Sequence, residues 1–377
     1  MNYTKKAVHG TMMVLIMGVV AALIAYVTRI VMARNLTPEE YGLFYAVFTF
    51  ISFFLFFRDL GIGLALVKFI PEFKIQEKLD YIKSAILSVI GFQLLSSLIF
   101  SLIVFLLSDF LAIHYFKDPS AKLILQLLLL YVLGSVFYRV FRSTFNGFQN
   151  TKIYAILEPL KNGTTLLLIL LFFYLGFQVF APVLAYALVC FVVVLILLPS
   201  FLKTFPLHRY KAAEFRQVPK RLCLFGIPMF ATSIAGKLIT DIDTLMLTHF
   251  RPLQEVGIYN VILPSAMLFL YFSSSISAVI FPIVVELWIK KDQRRISEGV
   301  RLLSRYLFFI IIPPALTIFI FSKPLIQFFF GDGYAAGALA LQILVIGMLF
   351  YVVAGVNLGL ITAIGEPKLV AKIIVIA

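Results

Sequence analysis

The chain has 377 residues, of which 62% are hydrophobic, 15% aromatic and only 13% charged, and its mean hydropathy is +1.03. An ordinary soluble domain is about 45–50% apolar and about 25% charged, so a water-soluble globule is excluded. The net charge of +14 is spread over separate short loops and forms no single patch, which excludes a nucleic-acid-binding surface.

The apolar excess comes in blocks near the ~20 residues needed to cross a bilayer core. Charge clusters, Gly/Pro and polar turns predict spans over 11–33, 43–67, 84–107, 122–142, 155–175, 179–202, 223–249, 257–287, 303–325 and 336–362, with an eleventh starting near 369. The first block lacks a short apolar core followed by a small-residue cleavage site, so it is a retained helix and not a signal peptide. Continuous apolar runs, unlike the short alternating segments of a barrel, make the fold class an all-α polytopic membrane protein. Cys190 and Cys223, with His9, His114, His208 and His249, are too scattered to suggest a disulfide framework or a metal site.

Lys and Arg counts near helix ends orient such a chain. Most of the 32 basic residues fall in alternate loops, the N-terminal segment among them, while Arg29, Arg34, Lys117, Lys122, Arg251 and Lys323 lie on the other side. The N-terminus is therefore expected in the cytoplasm and the protein in the cell membrane, with anionic lipid headgroups as neighbours. The charged segments 72–84 and 204–222 read as amphipathic surface helices on the cytoplasmic face.

The two halves resemble each other. PEEYGLFYAVF (38–48) matches LQEVGIYNVIL (253–263), SDFLAIHYFKD (108–118) matches SKPLIQFFFGD (322–332), and NGFQNTK (146–152) matches IGEPKLV (364–370), in one order and at nearly one spacing. Six spans separate the copies, so both have the same sidedness, as in transporters built from parallel repeats. The expected organisation is an N-terminal lobe over 1–202, a cytoplasmic linker over 203–222 and a C-terminal lobe over 223–377. By comparison with the first copy, the second lobe is expected to be truncated, and a genuine stop codon after Ala377 would overturn that expectation.

Three segments resemble a known family: LTPEEYGLFYAVFTFISFFLFFRDLGIGLALVKFIPEF (36–73), GIPMFATSIAGKLITDIDTLMLTHFRPLQEVGIYN (226–260) and FGDGYAAGALALQILVIG (330–347) are similar to the polysaccharide biosynthesis flippases. Their superfamily also holds the multidrug and toxin extrusion antiporters and the lipid II flippase. The resemblance implies two six-helix lobes around a central cavity that opens to each side in turn. It also implies a polyprenyl-linked oligosaccharide as cargo, carried from the cytoplasmic to the outer leaflet, and other polysaccharide-assembly proteins as partners. Neither the glycan nor the coupling ion follows from it; Na+ and H+ both remain open, and no other cofactor is expected.

A cargo with a diphosphate and a hydroxyl-rich sugar needs polar partners where unpaired polar groups cost several kcal/mol. Arg58, in FFRDLGIG (56–63), is placed near mid-membrane about 15 Å along one helix from Lys68. Its planar fork suits a phosphate, and structural pairing with an acid is the alternative. Arg29 either snorkels to the outer headgroups or meets cargo in the outer cavity. Lys237 and Asp241, four apart, share a helix face, whereas Asp243 lies about 200° from Asp241. Lys237 thus joins Arg58 and Arg29 as a substrate-binding candidate, unless it forms a structural pair with Asp241. The ion-coupling candidates are Asp241, Asp243, Asp59 and Glu158; for Glu158, a local ion pair with Lys161 is the plainer reading.

The spacing Asp241-Ile-Asp243 mimics a glycosyltransferase acidic pair, but it lies inside a span. No catalytic residue is assigned, and no GxxxxGK[ST] loop is present for ATP. Two other functions compete with the flippase. An organic-cation antiporter would need a net acidic cavity, and a membrane-integral glycan polymerase would need a larger outer loop than 108–121. Prolines 228, 264, 282, 313 and 314 interrupt backbone hydrogen bonding in the second copy, which suits bending helices and static kinks equally.

Overall fold

The computed structural model describes residues 3–212, 217–366, 369, 370, 372 and 373. Among them every regular element is helical: α1 (Tyr3–Asn35), α2 (Pro38–Asp59), α3 (Ile62–Ile75), α4 (Leu79–Phe110), α5 (Ala121–Gly147), α6 (Thr151–Tyr174), α7 (Phe180–Thr204), α8 (Gln217–Phe250), α9 (Leu253–Ile289), α10 (Gln293–Ile320), α11 (Ser322–Phe330) and α12 (Ala338–Ala363). Nine segments among the described residues are long and apolar enough to cross a membrane. The protein is an all-α, multi-pass membrane protein. The eleventh expected span, near 369, lies mostly outside the described residues, as does Lys368.

Local chemistry sets the helix ends. Thr37 accepts a hydrogen bond from the Glu40 amide while the Glu40 carboxylate accepts from the Thr37 amide, and Pro38 occupies the first turn. Such a reciprocal cap satisfies donors that a helix start otherwise leaves orphaned. The repeat landmarks fall at like places in both copies. PEEYG follows the cap that opens α2, LQEVG opens α9 at Leu253, and the 146–152 and 364–366 segments are both turns after a long helix.

The span expected over 43–67 is broken. Leu60 (φ 42°) and Gly61 (φ 72°) are both left-handed, ending α2 at Asp59 and restarting the chain as α3. Asp59 Oδ1 accepts the Gly63 amide (3.2 Å), replacing one hydrogen bond lost at the break. Glycine takes this conformation without penalty. The amphipathic surface helices expected over 72–84 and 204–222 are also absent among the described residues. The first region is the end of α3, a turn and the start of α4; the second holds a single turn, Leu207–Arg209, before α8. Residues 205–211 are fastened instead: Lys83 Nζ donates to the Tyr210 carbonyl (2.7 Å), the Lys211 amide donates to Asp80 (3.0 Å), and the Phe205 and Tyr210 rings stack.

Two compact units emerge, Met1–Val256 and Gly257–Ala377. In the first, α5 packs on α7, α4 and α3, α6 packs on α1 and α7, and α8 lies along α2, α3 and α4. The buried seam includes Phe141 and Phe201, stacked 4.0 Å apart, with Leu66, Ile70, Ile86 and Val193 around them. Outward faces stay apolar, as with Leu95, Leu98, Leu102 and Leu106 on α4, the pattern of side chains that meet lipid. In the second unit α10 packs on α12, and α11 packs on α12 and the turn that follows it.

Candidate functional site

The site begins with one stripe on α5. Tyr131, Ser135, Tyr138, Arg142 and Asn146 recur every three or four residues along α5, and Arg139, four residues after Ser135, flanks the same face. That face lines a cavity of about 410 Å³ closed by Asp59 at the end of α2, by Gly63, Leu64 and Val67 of α3, and by Tyr154, Glu158 and Lys161 of α6. By the basic-residue count, this end of the bundle is the expected cytoplasmic end.

The charges in the cavity are unevenly compensated. Glu158 binds Arg142 (3.1 Å) and Lys161 (3.2 Å) and accepts the Tyr138 hydroxyl (3.2 Å). Arg142 also lies over the Tyr154 ring and Lys161 over the Tyr138 ring. Arg139 has no ion pair or hydrogen bond among the described residues, so its guanidinium is available to a ligand. Behind the wall sits Arg58, 5% exposed. Its Nη1 donates to the Val132 carbonyl (2.8 Å), to Ser97 Oγ (3.1 Å) and to Ser135 Oγ (3.1 Å), while Nε and Nη2 are buried without a hydrogen-bond partner among the described residues. Arg139 and Asp59 are its main charged neighbours.

The expected site residues divide. Asp59 and Glu158 line the cavity and Arg58 lies against it, with Ser135 bridging. Asp59 also accepts from Gln93 Nε2. Arg58 belongs to the last turn of α2 and is separated from Lys68 by the break, so its expected position along one continuous helix is corrected. Arg29 lies elsewhere, over the Tyr45 ring (4.6 Å to the centroid), with Tyr41 and Tyr186 as further electrostatic neighbours. Lys237 pairs with Asp241 across one helical turn and donates to Ser52 Oγ of α2 (3.2 Å). Asp243 is on another face and accepts the Thr244 amide (2.7 Å).

Arg139, Arg142, Tyr138 and Tyr154 are not among the expected site residues. In the sequence the two arginines count only as cytoplasmic loop charge, and the signal that would find them is the α5 stripe. At the opposite end, Tyr115 donates to the Leu245 carbonyl (2.9 Å) and Lys117 to the His249 carbonyl (3.0 Å), tying the segment that follows α4 to α8. Burial pushes the Tyr115 phenol up to about 12, which keeps it a donor.

In the first unit, apolar spans thus surround a cationic, tyrosine-lined cavity. The family described as polysaccharide biosynthesis protein matches residues 7–288, and the one described as MatE matches residues 228–377. This chain belongs to the polysaccharide biosynthesis protein family. A relative from Methanocaldococcus jannaschii, described as uncharacterized membrane protein MJ1068, is 28% identical over 100% of this chain and 77% of its own length. Among solved structures, the lipid II flippase MurJ in an inward closed conformation has a TM-score of 0.71 at 16% identity, covering 95% of this chain and 77% of that one. The MATE multidrug transporter DinF-BH has a TM-score of 0.62 at 20% identity, covering 99% of this chain and 85% of that one.

Proposed function

We propose that this protein is a flippase that moves a polyprenyl-diphosphate-linked oligosaccharide from the cytoplasmic to the outer leaflet of the cell membrane by alternating access. The observation that carries this reading is the cavity between α3, α5 and α6, where Arg139 has no acid partner among the described residues and Arg142 and Lys161 stand beside it. Fixed guanidinium groups bind phosphate by paired, charge-assisted hydrogen bonds, and tyrosines offer sugar a flat apolar face with a polar edge. An organic cation would be repelled by the same groups, which weighs against drug antiport.

Coupling to Na+ or H+ is assigned to Asp59 first. Asp59 lines the cavity and forms no ion pair among the described residues, whereas Asp241 is held by Lys237 and Glu158 by two cations. The cytoplasmic N-terminus, the second lobe starting near 223 and the assembly partners belong to the same proposal. The test is reconstitution in vesicles, following translocation of a lipid-linked oligosaccharide with and without Na+ and H+ gradients. Transport lost in Arg139→Gln but present in the unaltered protein supports the reading, and equal transport in both overturns it.

A further inference from the structure

Resting on that reading, we infer that Glu158 is a built-in counter-anion that occupies half of the anion site when the cavity is empty and yields to the second phosphoryl group of a diphosphate cargo. Two anion positions are unequal in this cavity. One, at Arg139, is open. The other, between Arg142 and Lys161, is filled by a carboxylate that touches both cations at 3.1 and 3.2 Å.

The charge count agrees with this assignment. Arg139, Arg142 and Lys161 line the cavity with Asp59 and Glu158, and Arg58 lies buried behind its wall, so that four cations stand against two carboxylates in and beside it. A doubly negative diphosphate diester neutralises that excess, whereas a singly negative phosphodiester leaves a charge uncompensated in a poorly solvated site, which is unfavourable. Glu158 is also held in a way that permits exchange. Its partners are a tyrosine hydroxyl and two flexible basic side chains, and its own side chain is 31% exposed. Arg142 and Lys161 also lie over tyrosine rings, at 5.7 and 5.2 Å, so Glu158 is not the sole partner of either cation. Glu158 thereby tunes the site twice, by competing with cargo on loading and by refilling the position on release.

The experiment uses the purified full chain with two probes, a short-prenyl glycosyl diphosphate and the matching glycosyl monophosphate diester. Calorimetry gives affinities, and vesicle assays with the same probes give KM and turnover. The unaltered protein should prefer the diphosphate. Glu158→Gln should bind the diphosphate about tenfold more tightly, a change on the scale of one close charge pair, while the monophosphate changes by less than about threefold. KM and turnover should both fall, because release is no longer assisted. An unchanged or weaker diphosphate affinity in Glu158→Gln, with the unaltered protein still binding, overturns the inference and leaves the functional reading intact. Failure of the unaltered protein to bind the diphosphate overturns both. Should Glu158→Gln not fold, Tyr138→Phe loosens the same carboxylate without changing charge; a gain in diphosphate affinity supports the inference, and a loss or no change overturns it.

Discussion

Gly61 and Gly226 meet backbone to backbone, so that a Cβ on Gly226 would lie 2.9 Å from both the Gly61 carbonyl carbon and the Leu60 carbonyl oxygen. This contact seats α8 on the α2–α3 break, with Arg221 bound to Glu72 (3.0 Å) one turn before it and Lys237 on Ser52 further along. The three nearest atoms are all backbone, so a methyl group must push backbone apart. Gly226→Ala should therefore destabilise the first unit by about 1–3 kcal/mol, the usual scale of overpacking. Thermal denaturation in detergent checks it, and an unchanged Tm would show that the helices separate freely.

Lys237 and Asp241 form a mostly buried ion pair, with side chains 20% and 14% exposed. Removing one partner leaves the other charge to be solvated in a poor site, whereas removing both leaves none. Asp241→Asn should cost about 1–3 kcal/mol, and Lys237→Met combined with Asp241→Leu should recover a good part of the loss. Additive losses in the double variant would contradict the pairing.

How far the sequence is legible differs from residue to residue. Spans can be located because bilayer thickness imposes a length on apolar runs, and the Lys237–Asp241 pair follows from four-residue spacing on a helix. The α2–α3 break does not, since a left-handed Leu60 leaves no compositional mark and Gly61 resembles any small residue of a membrane helix. Nor is the cavity legible from the arginines. A cation near a span end satisfies the positive-inside rule whatever it touches, so Arg139 and Arg142 read as topology. Only the α5 stripe, taken together with Glu158 and Lys161 on α6, distinguishes a cavity wall from a loop end.

Arg58 combines two roles that different substitutions should separate. Its Nη1 holds Ser97, Ser135 and the Val132 carbonyl, so losing the side chain strands buried acceptors as well as removing a charge near the cavity. Arg58→Gln should both lower thermal stability by about 1–3 kcal/mol and abolish translocation. Arg58→Lys keeps the charge but not the planar fork, and should recover part of the transport with little recovery of stability. Full stability in Arg58→Gln would mean that these hydrogen bonds contribute nothing.

Arg139 provides the converse case. It lines the cavity and has no ion pair or hydrogen bond among the described residues, so its removal breaks no structural contact there and relieves repulsion with Arg58, whose guanidinium feels its charge. Arg139→Gln should leave Tm unchanged or slightly raised while translocation falls at least about tenfold, the effect of losing one charge-assisted contact of about 1.5–3 kcal/mol to a phosphoryl group. Arg142→Gln, in contrast, should lower both, because it also releases Glu158. Raising the salt concentration should weaken cargo binding in the unaltered protein more than in Arg139→Gln, since fewer charges remain to be screened. Identical salt dependence in the two proteins would place the cargo away from Arg139.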